Sequence, residues 1–271
     1  MIPDSEFRAN FRRQGWASLG PVLNAEELEV VRASCTAALE GTDEPIRTLA
    51  SSTLGGRSDT AFVDLQSLDY KRILDRRGDL RLSFPELRPI VAKTAAIAQR
   101  LLDEEVRVIY DLCFMKPSAE NHSKATGWHQ DLPYVPIDRR GLLTIWIALI
   151  DVLPESGALQ FLPGSHRLGP LGRLDLREDI RLTDLLRADD YAFVSNPVTV
   201  SLRAGEATVH DGLTLHGSHP NATSVQRLSW ALRFIPANTR WLGGPLAIDG
   251  LEETGMRPFD TFDDSRFLVP A

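Results

Sequence analysis

The sequence predicts helices first and an antiparallel all-β core after them. Two observations carry this. Helical spacing with cap signals is confined to the part before Glu105, and short β-type runs separated by Gly, Pro, Asn and Asp fill the part after it. A third bounds it. The 271 residues are 43% hydrophobic and 25% charged, ordinary soluble composition with no linker or repeat, so a single domain over 1–271 is expected.

Phe7 to Trp16 reads as a short helix, and Gly20-Pro21 as a turn. Asn24 stands where an N-cap is wanted, ahead of Ala25-Glu26-Glu27-Leu28. Leu28, Val31 and Cys35 recur at helical spacing, and Gly41 stands at the C-cap position. Residues 45–80 are rich in Arg, Ser and Asp and read mostly as loop. Phe84 to Leu102 reads as a further helix with Pro89 near its start. The helical part thus runs to about residue 104 and the β part from about 105 to 240, with a tail beyond. The β-type runs are VRVIYDLCFMK, LLTIWIALIDV, GALQFLPGSH, AFVSNPVTVSL, EATVHDGLTLHGS and QRLSWALRFIP. Many short strands with turn signals suit a sandwich or barrel. A charged insertion from Gly172 to Asp190 interrupts them with helical character.

Charge and cysteine content exclude several classes. The net charge is -7, and no Lys/Arg cluster stands out to neutralise a nucleic acid. Cys35 and Cys113 are too few for a disulfide framework and read as reduced core thiols. The N-terminus is charged, without the apolar region of a secretory signal. The longest apolar run, Leu142 to Ile150, is too short to span a bilayer. A cytoplasmic protein, monomeric or weakly dimeric, without membrane or nucleic-acid partners, is expected.

The chemistry concentrates at Gly127-Trp128-His129-Gln130-Asp131. On an extended segment, residues two apart point to the same side, so His129 and Asp131 can approach one metal ion. His216, in Leu215-His216-Gly217-Ser218, is the best third ligand. Two imidazoles and a carboxylate on one side of a metal leave the other side open, as non-haem iron(II) oxygenases require. Arg227 and Ser229 share a strand face further on. A guanidinium can grip the carboxylate of an acidic co-substrate, and a hydroxyl can add a donor. Each piece alone has a plainer reading: a surface loop, a turn, a solvated strand face. Their order and spacing together are far more specific.

These residues resemble the phytanoyl-CoA dioxygenase family of iron(II)/2-oxoglutarate oxygenases. The likeness rests on Trp128-His129-Gln130-Asp131, Leu143-Thr144-Ile145-Trp146, Gly157-Ala158-Leu159, Pro163-Gly164-Ser165-His166 and His216-Gly217-Ser218 followed by Arg227. It spans about Phe7 to Pro236. It implies a double-stranded β-helix, that is a jelly roll with flanking helices, and Fe(II), 2-oxoglutarate and O2 as metal and co-substrates. It implies His129, Asp131 and His216 as ligands and Arg227 as partner of the distal 2-oxoglutarate carboxylate, with Ser229 helping. Gln130, Trp146, Thr144 and Leu112 match or approach positions lining the co-substrate site. Because Asp131 retains the carboxylate that related halogenases lack, hydroxylation of a small metabolite, with release of succinate and CO2, is the expected outcome.

Tyr134, His122, Lys124, Arg233 and Trp241 are candidate substrate contacts. A basic residue such as Arg233 suits a carboxylated or phosphorylated substrate, against the plainer reading of a solvated strand face. His166 reads as structural. His210 could join His216 as a second histidine pair, but Gly212 argues against a straight strand between them. Rival readings are a desaturase, cyclase or epimerase on the same scaffold, a non-catalytic jelly-roll binding module, and a zinc hydrolase.

Overall fold

The computed structural model describes residues 4–40, 73–172, 180–244 and 254–269. Helix α1 (Ser5–Gln14) starts at Asp4, whose carboxylate accepts from Phe7 N, and stops at Gly15 in the left-handed region (φ 79°). Gly15 is required twice over. A Cβ there would lie 2.3 Å from His166 Nδ1 and 2.5 Å from Thr214 Oγ1. Helix α2 (Ala25–Glu40) opens on the expected cap: Glu27 N donates to Asn24 Oδ1 and Asn24 N to Glu27 Oε2, both at 2.8 Å. The expected cap at Gly41 and most of the expected 45–80 loop lie outside the described residues. Helix α3 (Arg88–Leu102) begins later than expected, because Pro85–Leu87 forms a separate 3-10 turn ahead of Pro89.

The strands are β1 (Trp16–Pro21), β2 (Asp75–Gly78), β3 (Val106–Lys116), β4 (Thr126–His129), β5 (Leu143–Ala148), β6 (Leu159–Phe161), β7 (Val198–Thr199), β8 (Glu206–Asp211), β9 (His216–Ser218) and β10 (Arg227–Pro236). They form two antiparallel sheets, a larger one in the order β1-β8-β5-β10-β3-β2 and a smaller one in the order β4-β9-β6-β7. This is a jelly roll with helices packed on the outer face of the larger sheet.

The strand parity explains the layers. Leu143, Ile145 and Ile147 of β5 and Trp230, Leu232 and Phe234 of β10 pack with the helices. The residues between them, among them Trp146, Ala148 and Ala231, pack in the cluster between the sheets. Strands buried on both faces read as continuous apolar runs, which is why LLTIWIALI lacks alternation.

Three expectations need correction. β2 lies in the stretch read as loop. Asp-Arg-Arg-Gly carries no apolar alternation, and only backbone pairing with β3 makes it a strand. The run 192–202 yields only Val198–Thr199 and a bridge from Leu202 to Val152, because Ala188–Ala192 is a 3-10 turn and Pro197 cannot donate to a ladder. The run 206–218 is split at Gly212 into β8 of the larger sheet and β9 of the smaller. In the insertion, a helical turn spans Leu182–Leu185, while 173–179 lie outside the described residues.

One polar cluster ties the outer face together. Buried Asp111 accepts from Trp230 Nε1 (2.8 Å), Leu80 N (3.0 Å) and Arg81 (3.0 Å), and Arg81 also donates to Arg266 O (2.7 Å). Asp79 bonds the same guanidinium. Burial, with Asp111 nearby and against the pull of Arg81, raises Asp79 to a pKa of about 6. The folded state therefore favours protonated Asp79. Its contribution to stability is full below about pH 4 and is lost as the pH rises through 6. Asp79→Asn, which tolerates the same left-handed backbone (φ 52°), is expected to remove about 1–3 kcal/mol of that pH dependence. Urea unfolding at pH 4.5 and 7.5 measures it, and equal slopes for both proteins would refute it.

Candidate metal and co-substrate site

The site grows from the crossing of the two sheets. His129 ends β4 and His216 opens β9, and the two are cross-strand partners. Asp131 does not continue the strand. Its backbone is in the right-handed helical region (φ −74°, ψ −41°), at the start of the turn Leu132–Tyr134. The extended-segment geometry inferred from sequence is therefore not the one that joins His129 to Asp131; a strand end followed by a turn does so. One ligand atom each from His129, Asp131 and His216 lies within 4.8 Å of the others, and all three residues are buried. Among the described residues this is the one group of three or more such side chains placed to hold a metal ion.

Hydrogen bonding aims each donor. His129 Nδ1–H donates to Gly127 O (2.9 Å) and His216 Nδ1–H to Thr214 O (3.0 Å). A carbonyl can only accept, so both rings present a bare Nε2. Burial, then the neighbouring imidazoles, lowers His129 to a pKa of about 3 and His216 to about 4, which keeps both rings neutral. The Asp131 carboxylate is divided in function. Oδ2 accepts from Thr144 Oγ1 (2.7 Å) and His210 Nε2 (3.2 Å), while Oδ1 faces His216 Nε2 (3.9 Å) and accepts from Arg233 (3.1 Å). Burial pushes this carboxyl up, but Arg233, His210 and His216 outweigh it and hold it well below the usual range. Two neutral imidazoles and one carboxylate oxygen suit a non-haem iron(II) ion.

The other end of the pocket is cationic. Arg227 is buried at the start of β10, directly opposite buried Lys116 on β3. The Arg227 guanidinium lies over the Trp146 ring (5.2 Å) and donates to Gly157 O, and its Nε has no partner. Burial lowers Arg227 only to about 10, so it stays charged. Burial and then Arg227 lower Lys116 well below its usual range, and its Nζ reaches Thr126 Oγ1 (3.2 Å) and Ile73 O (3.4 Å). Among the described residues, neither Arg227 nor Lys116 has a carboxylate within salt-bridge distance. A buried guanidinium without counter-charge is costly, so the Arg227 end fits an incoming carboxylate.

The other expected residues divide. Trp146 and Leu112 are inward and apolar, and Ser229 is buried with its hydroxyl 3.5 Å from Phe114 O. Thr144 points its hydroxyl at Asp131, not at the co-substrate end. Gln130 turns away altogether, with both ends of its amide bonded to backbone of the 169–171 and 213 loops. Arg233 is no solvated strand face: it is buried over Tyr110 (4.9 Å) and bonded to Asp131. Tyr134 meets His129 edge-on (6.4 Å). Trp241 bridges to Ile137 at the rim. His122 and Lys124 stand exposed on the connection before β4. His166 is structural, donating to Arg12 O (3.0 Å).

Sequence reasoning missed Lys116 and the orienting part of His210. A signal existed for Lys116: it ends β3 on the same parity as Tyr110, Leu112 and Phe114, all of them aromatic or aliphatic. The orienting part of His210 was not legible, because it depends on the register that sets His210 opposite Thr144, both bonding the same Asp131 oxygen.

The family profile described as phytanoyl-CoA dioxygenase matches residues 11–229. The chain belongs to the phytanoyl-CoA dioxygenase family. The family uses iron(II), 2-oxoglutarate and dioxygen. A probable alpha-ketoglutarate-dependent hypophosphite dioxygenase of Stutzerimonas stutzeri is 22% identical over 233 residues, covering 82% of this chain and 75% of that one. A phytanoyl-CoA dioxygenase domain-containing protein of Danio rerio is 31% identical over 123 residues, and the match spans only 40% of that protein and 42% of this one. Among solved structures, an epimerase from nogalamycin biosynthesis in complex with Fe3+, alpha ketoglutarate and nogalamycin RO aligns at 25% identity and TM-score 0.75, covering 97% of this chain and 96% of that one. A carbocyclase from the same biosynthesis aligns at 23% identity and TM-score 0.75, covering 99% and 96%.

Thr144→Val keeps the shape of the side chain and removes one of two donors to Asp131 Oδ2. Cobalt(II) affinity is expected to fall about 10-fold, as for other partners of ligating carboxylates. A spectroscopic titration measures this, and an unchanged affinity would show that Oδ2 needs no such anchor.

Proposed function

We propose that this protein hydroxylates a C–H bond of a small-molecule metabolite, consuming 2-oxoglutarate and dioxygen and releasing succinate and CO2. The observation that carries this is the polarity of the pocket. One end holds a buried His-Asp-His group, and the other holds Arg227 and Lys116, which have no acidic partner among the described residues. A simple binding module has no use for both, and a zinc hydrolase has no use for the cationic end.

His129 and His216 offer Nε2, and Asp131 offers Oδ1 to the iron. Arg227 takes the distal carboxylate of 2-oxoglutarate, with Lys116 beside it and Trp146 as the wall beneath. Ser229 lies on the same strand face as Arg227. Bound iron with 2-oxoglutarate and dioxygen supplies the oxidising power, and the chain supplies ligation, orientation and a dry pocket. Thr144 and His210 keep Asp131 from rotating, so the carboxylate that would hold the iron is fixed in orientation. Leu112 and Trp146 exclude water from the co-substrate end. Tyr134, Arg233 and Trp241 stand on the side where substrate would enter.

A second outcome on the same scaffold, ring closure or epimerisation, is supported by the likeness in fold to the nogalamycin carbocyclase and epimerase. Product mass separates them: hydroxylation adds an oxygen atom, epimerisation leaves the mass unchanged, and oxidative ring closure removes two hydrogens.

Protein purified anaerobically, then given iron(II), 2-oxoglutarate and air, is expected to form succinate, with a panel of metabolites stimulating turnover. His129→Ala is expected to be inactive. Arg227→Ala is expected to recover only at high 2-oxoglutarate, with KM raised at least 10-fold by loss of a charge-assisted pair. Iron bound without succinate under any condition would overturn the oxygenase function.

A further inference from the structure

We propose that Gln130 is a positioning residue that sets the register between the two ligand-bearing segments, and that it does not touch the co-substrate. This rests on the metal centre proposed above. The ladder between β4 and β9 is irregular: Thr126 pairs with Ser218 and His129 with His216, with a register shift between them. Gly127 and Trp128, just before the first ligand, therefore take no regular place in that ladder. A two-point ladder leaves room to slip, and a slip of one residue would turn His129 away from His216.

Gln130 supplies the missing constraint from behind. Its side chain is turned to the 169–171 and 213 loops and not toward the His129–Asp131–His216 group. It is buried, and its amide is used in full. Nε2 donates to Leu213 O (2.8 Å) and to Gly169 O (2.8 Å), and Oε1 accepts from Leu171 N (2.7 Å). Leu213 belongs to the turn that leads into His216. Gly169 and Leu171 follow the Pro163-Gly164-Ser165-His166 turn, which is itself fastened to that segment. Leu215 N donates to Ser165 Oγ (2.8 Å), and Leu162 N donates to Leu215 O (2.9 Å).

One amide therefore joins the segment carrying His129 and Asp131, the segment carrying His216, and the turn that supports the latter. Two backbone bonds flank it: Leu132 N donates to Gly212 O (2.8 Å) and Trp128 N to Ile180 O (3.4 Å). A glutamine fits this place because it alone combines two donors and one acceptor at that reach. Glutamate has no donor for the two carbonyls, and asparagine is one methylene shorter.

The test separates this from a co-substrate contact. Cobalt(II) is titrated into the metal-free protein and followed by its visible absorption, for wild type, Gln130→Leu and Leu171→Pro, with His129→Ala as the blank. Calorimetry then gives the 2-oxoglutarate affinity of each cobalt-saturated protein. Gln130→Leu is expected to bind cobalt 10–100-fold more weakly, with an altered absorption band and 2-oxoglutarate affinity within about threefold of wild type. Leu171→Pro removes one of the three bonds and leaves Gln130 in place. It is expected to weaken cobalt binding by a smaller factor, and it decides the matter alone if Gln130→Leu does not fold. Wild-type cobalt affinity in whichever variants fold, or a loss confined to 2-oxoglutarate affinity, would overturn the proposal. Failure of the wild type itself to bind cobalt would overturn the metal centre on which it rests.

Discussion

The two oxygens of Asp131 are the constraint from which the rest of the pocket follows. It is a buried acid, held by the Arg233 guanidinium and by the neutral donors Thr144 and His210. Thr144 and His210 fix Oδ2, so Oδ1 is the oxygen turned toward the His216 imidazole. Burying a carboxylate without such partners would drive it to protonate. Here the partners reverse that tendency and keep it ionised. One end thus offers two imidazoles and a carboxylate to a metal ion, and the other offers the Arg227 guanidinium to an anion.

Placing these groups on strands separates stability from chemistry. Neighbouring residues on β5 and β10 point to opposite faces. Leu143, Ile145, Leu232 and Phe234 bind the helices, while Thr144, Trp146, Ser229 and Arg233 look inward. The Asp79–Arg81–Asp111 cluster fastens the outer layer without reaching the pocket. The connecting loops are pinned with equal care. Gly15 lets the end of α1 lie against His166 and Thr214, and Ser165 holds the residue before His216.

The legible parts of the site were those carried by short local motifs. His129, Asp131, His216 and Arg227 stand at spacings that suggest their chemistry, and the structure brings the first three within reach of one ion. The directions of their neighbours were less legible. Gln130 and Thr144 were read toward the co-substrate, yet one braces two loops and the other holds Asp131. Arg233, a candidate substrate contact whose plainer reading is a solvated strand face, is buried and bonded to Asp131 Oδ1. Each difference turns on which side of a strand or turn a residue leaves. Among the elements, β2 was missed because its pairing owes nothing to side-chain pattern.

The sequence by itself determined the class of fold and the chemical kinds of the site. Hydrophobic periodicity records which faces are buried, and a metal centre needs particular residue types whatever their surroundings. Only the tertiary structure decided that Lys116 stands opposite Arg227, that His210 stands opposite Thr144 and reaches Asp131, and that Gln130 faces away from the pocket. Those facts depend on strand register and on the backbone angles of two turns. Both are set by pairing between residues far apart in the chain, which no local pattern encodes.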